Sequence, residues 1–168
     1  MNPLLLGLMK YEGVVQGIER TERWKVYAEA KQYAENTGKP FLVAGMARFP
    51  FAHEPLGDGC GDVCIDINPR VVKVAKGDWL GIGAVGETAD IKHIPYPDKY
   101  FGSAFCSHTL EHLEDIEDCE VAVNELNRVS DRIFIVSPHK WSIIAWLAPS
   151  HHLWVGEDEE GNIFAEQR

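Results

Sequence analysis

Side chains able to do chemistry are concentrated in a few stretches of this sequence. The run His108-Thr109-Leu110-Glu111-His112 sets two imidazoles four residues apart, with a carboxylate beside the second. On a helix, residues four apart share a face. Both rings could then ligate zinc while Glu111 activates a water, the arrangement of an H-x-x-E-H hydrolase. A third ligand would have to come from His139, His151 or His152, and no distal ligand is marked by its spacing. His139-Lys140-Trp141 follows the clearest strand-like run and could touch a substrate. Two acids, Asp66 and Asp90, stand after other short apolar runs. A carboxylate at the end of a second parallel strand is where a ribose diol is gripped, because it accepts from both hydroxyls.

These groups need a scaffold, and 168 residues is the length of one domain. With 45% hydrophobic and 25% charged residues the chain is too apolar for a disordered segment and too mixed for a membrane protein. Sixteen basic against 26 acidic residues leave a net charge of -10. That argues against nucleic acid and anionic membranes as partners, since such binding relies on a basic surface. Four cysteines, at 60, 64, 106 and 119, have neither C-x-x-C spacing nor the density of a disulfide scaffold, so the expected compartment is the reducing cytoplasm. The apolar run Leu4 to Met9 is too short to span a bilayer or to form a signal-peptide core. It reads as a cap packed on the domain, or else as a dimer contact or a lid.

Apolar spacing at three and four predicts a helix over 11–36, ended by Gly38 and Pro40. Residues 1–38 thus form a helical segment and 39–168 an α/β core. Strands are expected at 41–45, 63–67, 80–85, 102–106 and 132–136, with a short helix over 71–75, an amphipathic helix over 116–129 and one helix within 141–149. The breaker-rich stretch 46–62 reads as an irregular loop. Two last strands, 152–155 and 162–165, flank a polar turn and make a hairpin. Strands alternating with helices predict a doubly wound, mostly parallel sheet, seven-stranded with a C-terminal antiparallel hairpin. Ligands bind such sheets beyond the carboxyl ends of the strands. The residues there are Gly45-Met46, Asp66, Asp90 and Ser107-His108.

The run Ala89-Asp90-Ile91-Lys92-His93-Ile94-Pro95-Tyr96-Pro97-Asp98-Lys99-Tyr100-Phe101, continued by Cys106-Ser107-His108-Thr109-Leu110-Glu111-His112-Leu113, resembles the class I S-adenosylmethionine-dependent methyltransferases, closest to their small type 11-like branch. With Val63 to Pro69 the resemblance covers 41–136 in order. It implies a Rossmann-like sheet, S-adenosyl-L-methionine as cofactor and S-adenosyl-L-homocysteine as product. It further implies Asp66 on the ribose hydroxyls, Asp90 and the Ile91 N–H on the adenine, Ile67 against its face, and Ser107 and His108 near the sulfonium end. The family's Gly-x-Gly-x-Gly loop is reduced here to Ala44-Gly45-Met46, which marks a minimal member, and Gly102 stands where an Asp is usual.

Within the resemblance, H-x-x-E-H falls at a strand end rather than on a zinc-binding helix, so no metal site is expected. A divalent ion on Glu111 and His112, as in some methyltransferases acting on catechol-like or RNA-end hydroxyls, is the weaker alternative. A base is needed only if the acceptor loses a proton. The catalytic candidates are His108 and His139, which could equally be hydrogen-bonded loop histidines. Trp141, Trp146 and Trp154 read as packing more than as an acceptor pocket, and Glu157 to Glu160 as a solvated turn. The expected activity is methyl transfer to a small-molecule acceptor, with a homodimer completing the pocket. The alternative is a non-catalytic binding or interaction module on the same fold.

Overall fold

The computed structural model describes residues 2–45, 61–72 and 84–168. A helix, α1 (Pro3–Thr37), opens the chain; its 35 residues extend over about 50 Å. It starts eight residues before the periodic pattern does. The Asn2 side chain accepts from the Leu4 N–H, and Pro3 occupies the first turn, where a missing N–H costs nothing. Leu4, Leu5, Leu8 and Met9 are exposed on these first turns, so the expected cap packed on the domain is not formed. Gly38 ends the helix with φ 69°.

The strands are β1 (Phe41–Ala44), β2 (Val63–Asp66), β3 (Val85–Thr88), β4 (Phe101–Ser107) and β5 (Ser130–Val136). All pair in parallel in the order β3-β2-β1-β4-β5. The sheet is covered on both faces, as a parallel sheet must be. On one face Tyr27, Ala30 and Ala34 of α1 pack with Phe41, Val43, Cys64, Phe105 and Phe134. On the other, α2 (Ile116–Val129) buries Cys119, Ala122, Leu126 and Val129 among Leu42, Ala44, Ile65, Ala104 and Cys106. These buried positions recur at three and four, while the apolar Ile116 and Val121 lie on the exposed side, and Asp115 caps the helix by accepting from Asp118 N–H.

Two expectations are corrected. The third strand lies at 85–88, after the glycine-rich run of 80–85, most of which is outside the described residues. Among the described residues the sheet has five strands rather than seven, because β6 (Leu153–Glu157) and β7 (Ile163–Gln167) form an antiparallel pair of their own. After β5 the chain is drawn toward α1 instead of back along the β5 edge. His139 N–H donates to Glu19, and the Ile143 N–H at the start of α3 (Ile143–Leu147) donates to Glu12. The hairpin then packs β6 on the 3-10 turn Leu110–His112 and β7 on α2. His152 N–H donates to the Glu111 carbonyl at 2.8 Å there. No described helix is long and apolar enough to cross a membrane. Cys64, Cys106 and Cys119 are buried.

Candidate functional site

Strand order reverses between β1 and β4, so the C-terminal ends of these two strands flank the crevice where a doubly wound sheet holds its ligand. Five of the expected positions reach that edge directly from strand ends. Ala44 is buried at the end of β1, Asp66 ends β2, and Ser107 ends β4; Gly45 and Ile67 are the next residues out. Ile67 is 69% exposed, an apolar surface at the edge. Asp66 accepts from Asn68 N–H at 2.7 Å through Oδ1, which orients its carboxylate in the turn after β2. Asp90 does the same for Lys92 N–H at 2.9 Å, and Ile91 beside it is buried in the core. Met46 lies outside the described residues, as do most of the loop expected at 46–62 and the end of the helix expected over 71–75.

Gly45 has φ 76°, and a Cβ built on it would stand 1.8 Å from the Thr109 hydroxyl oxygen. The one glycine left after β1 is therefore needed both for its left-handed backbone and for the side chain packed against it. Gly45→Ala is expected to destabilise the domain by about 1–2 kcal/mol. Part of this should return in the Gly45→Ala, Thr109→Ala double variant, measured by urea unfolding.

Beyond Ser107 the chain enters a strained turn. His108 has φ 51°, a region that costs a residue with a Cβ about 1 kcal/mol or more. Its ring is largely buried, and Nδ1 stands 3.6 Å from Glu111 Oε1. Burial, helped by the positive charge of Arg23, pushes the His108 imidazole down to about 3. Burial pushes the Glu111 carboxyl up to about 8, with Glu19 adding to the rise. At neutral pH both are uncharged, so their proximity is not an ion pair. Ser107 Oγ is also buried with no hydrogen-bond partner.

The α1 helix supplies a charged stripe that the sequence does not advertise. Its buried positions run Glu12, Val15, Glu19, Arg23, Tyr27, Ala30, Ala34, polar where the helix reaches past the strand ends and apolar where it covers the sheet. Glu12 accepts from Ser142 Oγ, Gln16 Nε2 and Ile143 N–H. Burial raises its carboxyl, but bonds from Ile143, Ser142, Gln16 and Ile144 outweigh this and hold it below its ordinary value. Glu19 goes the other way: burial dominates, and its carboxyl is raised despite the His139 N–H. His139 itself, the other expected catalytic residue, puts Nε2 2.7 Å from Glu22 and stacks on Trp141 at 5.3 Å. The structure thus ties His139 to α1 through Glu19 and Glu22, while Arg23 of the same helix acts on His108 through its charge.

The tryptophans divide as packing residues. Trp154 is buried and Trp146 lies 4.9 Å from it, with the Arg168 guanidinium over both rings, while Trp141 is exposed. The acidic turn is a hydrogen-bonded surface loop in which Asp158 accepts from Glu160 and Asn162 N–H groups. The 94–98 stretch is held to α2 by Arg128, which donates to the Ile94 and Tyr96 carbonyls and pairs with Asp98 and Glu125. Asp98 of the sequence motif thus has a structural role. Glu19 and Arg23 were not expected at the site, and His151 was only one of three histidines considered as a distal ligand. They carry no local signal, because what gathers them is contact between α1, the β4 end and the hairpin.

Comparison with known proteins bears on the same edge. Residues 54–132, which span β2 to β5 with Asp66, Asp90, Ser107 and His108, match the family model described as "Methyltransferase domain". No curated protein matches the chain in sequence. Among solved structures, the N-methyltransferase NodS from Bradyrhizobium japonicum WM9 is similar at 15% identity and a TM-score of 0.51, over 88% of this chain and 93% of that one. NodS in complex with S-adenosyl-L-homocysteine aligns at 18% identity and a TM-score of 0.48, over 66% of this chain and 56% of that one. An S-adenosylmethionine-dependent methyltransferase from Mesorhizobium loti aligns at 17% identity and 0.47, over 86% and 63%. This chain therefore spans less than two thirds of the length of the last two.

Proposed function

We propose, from the premise that this chain is a class I methyltransferase in family and fold, that it binds S-adenosylmethionine at the strand ends and transfers its methyl group to a small acceptor. The observation that carries the reading is the reversal of strand order between β1 and β4, which brings Gly45, Asp66 and Ser107 to one edge. S-adenosylmethionine is the family's cofactor, and the donor set suits it. Asp66 is a carboxylate for the ribose diol, the exposed Ile67 is a wall for the adenine with Asp90 and the Ile91 N–H at its rim, and Ser107 Oγ is a buried hydroxyl lacking a partner. Ala44 and Gly45 would line the β1 side. When bound, the cofactor supplies an electrophilic methyl on a sulfonium, and the protein's task is proximity and orientation.

Where the acceptor must lose a proton, we assign the base to His139 rather than His108. An imidazole held down at about 3 is too weak a base near neutral pH. His139 has Glu22 at hydrogen-bond distance to orient its ring. The net charge of -10 supports an uncharged or cationic small acceptor over nucleic acid, and the buried Cys106 and Cys119 thiols support a reducing compartment. The exposed apolar first turns of α1 support a homodimer, for which sedimentation should give twice the monomer mass.

Calorimetric titration with S-adenosylhomocysteine tests the reading. One site per chain in the micromolar range is expected, with no heat from NAD. Asp66→Ala should weaken that binding by about 1–3 kcal/mol through lost charge-assisted hydrogen bonds, with the fold unchanged by circular dichroism. No binding by the wild type would sink the enzyme reading and leave the fold as an interaction module.

A further inference from the structure

We propose that Glu111, His112 and His151 form a binding site for one divalent transition-metal ion, of the class of Zn²⁺ and Co²⁺. One ligand atom from each side chain lies within 4.8 Å of the others. The three come from the turn after β4 and from the residue two before β6, clamped together by the His152 N–H bond to the Glu111 carbonyl. The His112 and His151 rings meet edge to face at 4.8 Å.

Proximity alone would be weak grounds, but the unmet polar atoms point the same way. Glu111 is 1% exposed, and among the described residues neither carboxylate oxygen has a hydrogen-bond partner within 3.5 Å, His108 Nδ1 standing 3.6 Å from Oε1. His151 Nδ1 is likewise buried without one. Native structures rarely leave such atoms unsatisfied, and each case calls for an explanation such as an ion. A cation between them answers both the carboxylate oxygens and the imidazole lone pair. His112 adds the supporting arrangement common to metal-bound histidines: Nδ1 lies 2.9 Å from the Ser150 carbonyl. That bond places the hydrogen on Nδ1 and leaves the lone pair on Nε2. Two imidazoles and a carboxylate suit a borderline ion and leave at least one coordination position for water or another oxygen ligand. The proposal departs from the expectation of no metal and extends the weaker alternative of an ion on Glu111 and His112, and it stands whether or not the strand-end edge binds a cofactor.

Chelator-treated protein titrated with Co²⁺ should develop a visible absorption band that saturates at one ion per chain, and Zn²⁺ should displace it. His112→Ala and His151→Ala should each weaken Co²⁺ binding at least 10-fold, and Glu111→Gln should do the same. His112 is exposed, so its variant is expected to fold as the wild type does. His93→Ala, an exposed histidine outside the cluster, should bind as the wild type does. Absence of a saturating band in the wild type would overturn the proposal, as would equal affinity in the His112 and His151 variants. Failure of S-adenosylhomocysteine to bind would not touch it.

Discussion

Glu111→Gln should make the metal-stripped protein more stable, and the gain should grow with pH. The wild-type carboxyl is fully enclosed, and burial lifts it from an ordinary 4.5 to about 8. Below pH 4.5 it is protonated both folded and unfolded, and contributes nothing to the balance. Between 4.5 and 8 the unfolded chain releases the proton while the folded one keeps it. Stability therefore falls by about 1.4 kcal/mol per pH unit, reaching a total of about 5 kcal/mol above pH 8. Glutamine has no proton to release. Burial also holds His108 and His151 down, at about 3 and about 4, so the folded state resists protonating them and stability is lost as pH falls below 6.5. For these three groups together the wild-type optimum lies near pH 6.5, with a decline on the alkaline side that Glu111→Gln removes. Melting temperatures at pH 6.5, 7.5 and 8.5 with chelator present should diverge by several degrees. Parallel profiles would mean that Glu111 is ionised in the folded state.

How much of this was legible beforehand depends on the range over which each feature is encoded. The apolar run Val63 to Ile65 marks β2 because a strand buried on both faces has no polar position to spare, and Ile133 to Val136 marks β5 although that edge strand opens with the polar Ser130, Asp131 and Arg132. The 116–129 helix could be bounded to the residue, but its buried stripe could not be read off: the apolar Ile116 and Val121 are exposed, while Cys119 and Ala122 are buried beside Leu126 and Val129. β3 was misplaced for the converse reason. It is an edge strand, Val-Gly-Glu-Thr, less apolar than the run before it, and pairing with β2 defines it rather than its own composition. The site divides in the same way. Asp66, Ser107 and His108 could be found because a strand end is a local feature. Glu12 and Glu19 could not, since their partners at 139–143 lie more than a hundred residues away. A glutamate on a long helix reads as solvated surface until the segment it holds is known. The Glu111, His112 and His151 cluster was half visible, as H-x-x-E-H, but its third member is selected from several histidines only by the path of the hairpin.

Gly102 joins fold and site most directly, and its substitution should have the second large effect. In sequence it was only a glycine where related chains carry an acid. In the structure a Cβ at this position would stand 2.2 Å from Thr37 Oγ1 and 2.9 Å from the Ala34 Cα. The threonine tip can rotate away, but the Ala34 backbone cannot, so α1 must lift from β4. That lift would strain the buried bond from Ser103 Oγ to the Ala30 carbonyl, now 2.6 Å, and loosen Tyr27 against Phe105, now 5.4 Å between ring centroids. Close-packed interiors absorb such shifts poorly, and Gly102→Ala is expected to destabilise the domain by about 3 kcal/mol. Adding Thr37→Ala should recover less than half of that, because the helix backbone remains in the way. The same displacement moves Glu12 and Glu19, which hold His139 and the start of α3. Where S-adenosylhomocysteine binds the wild type, its affinity for the variant should change less than the rate of methyl transfer, since the strand-end residues stay with the sheet while the α1-held segment does not. A denaturant midpoint within the error of the wild type would mean that α1 accommodates the methyl group, and that the glycine has another reason to be there.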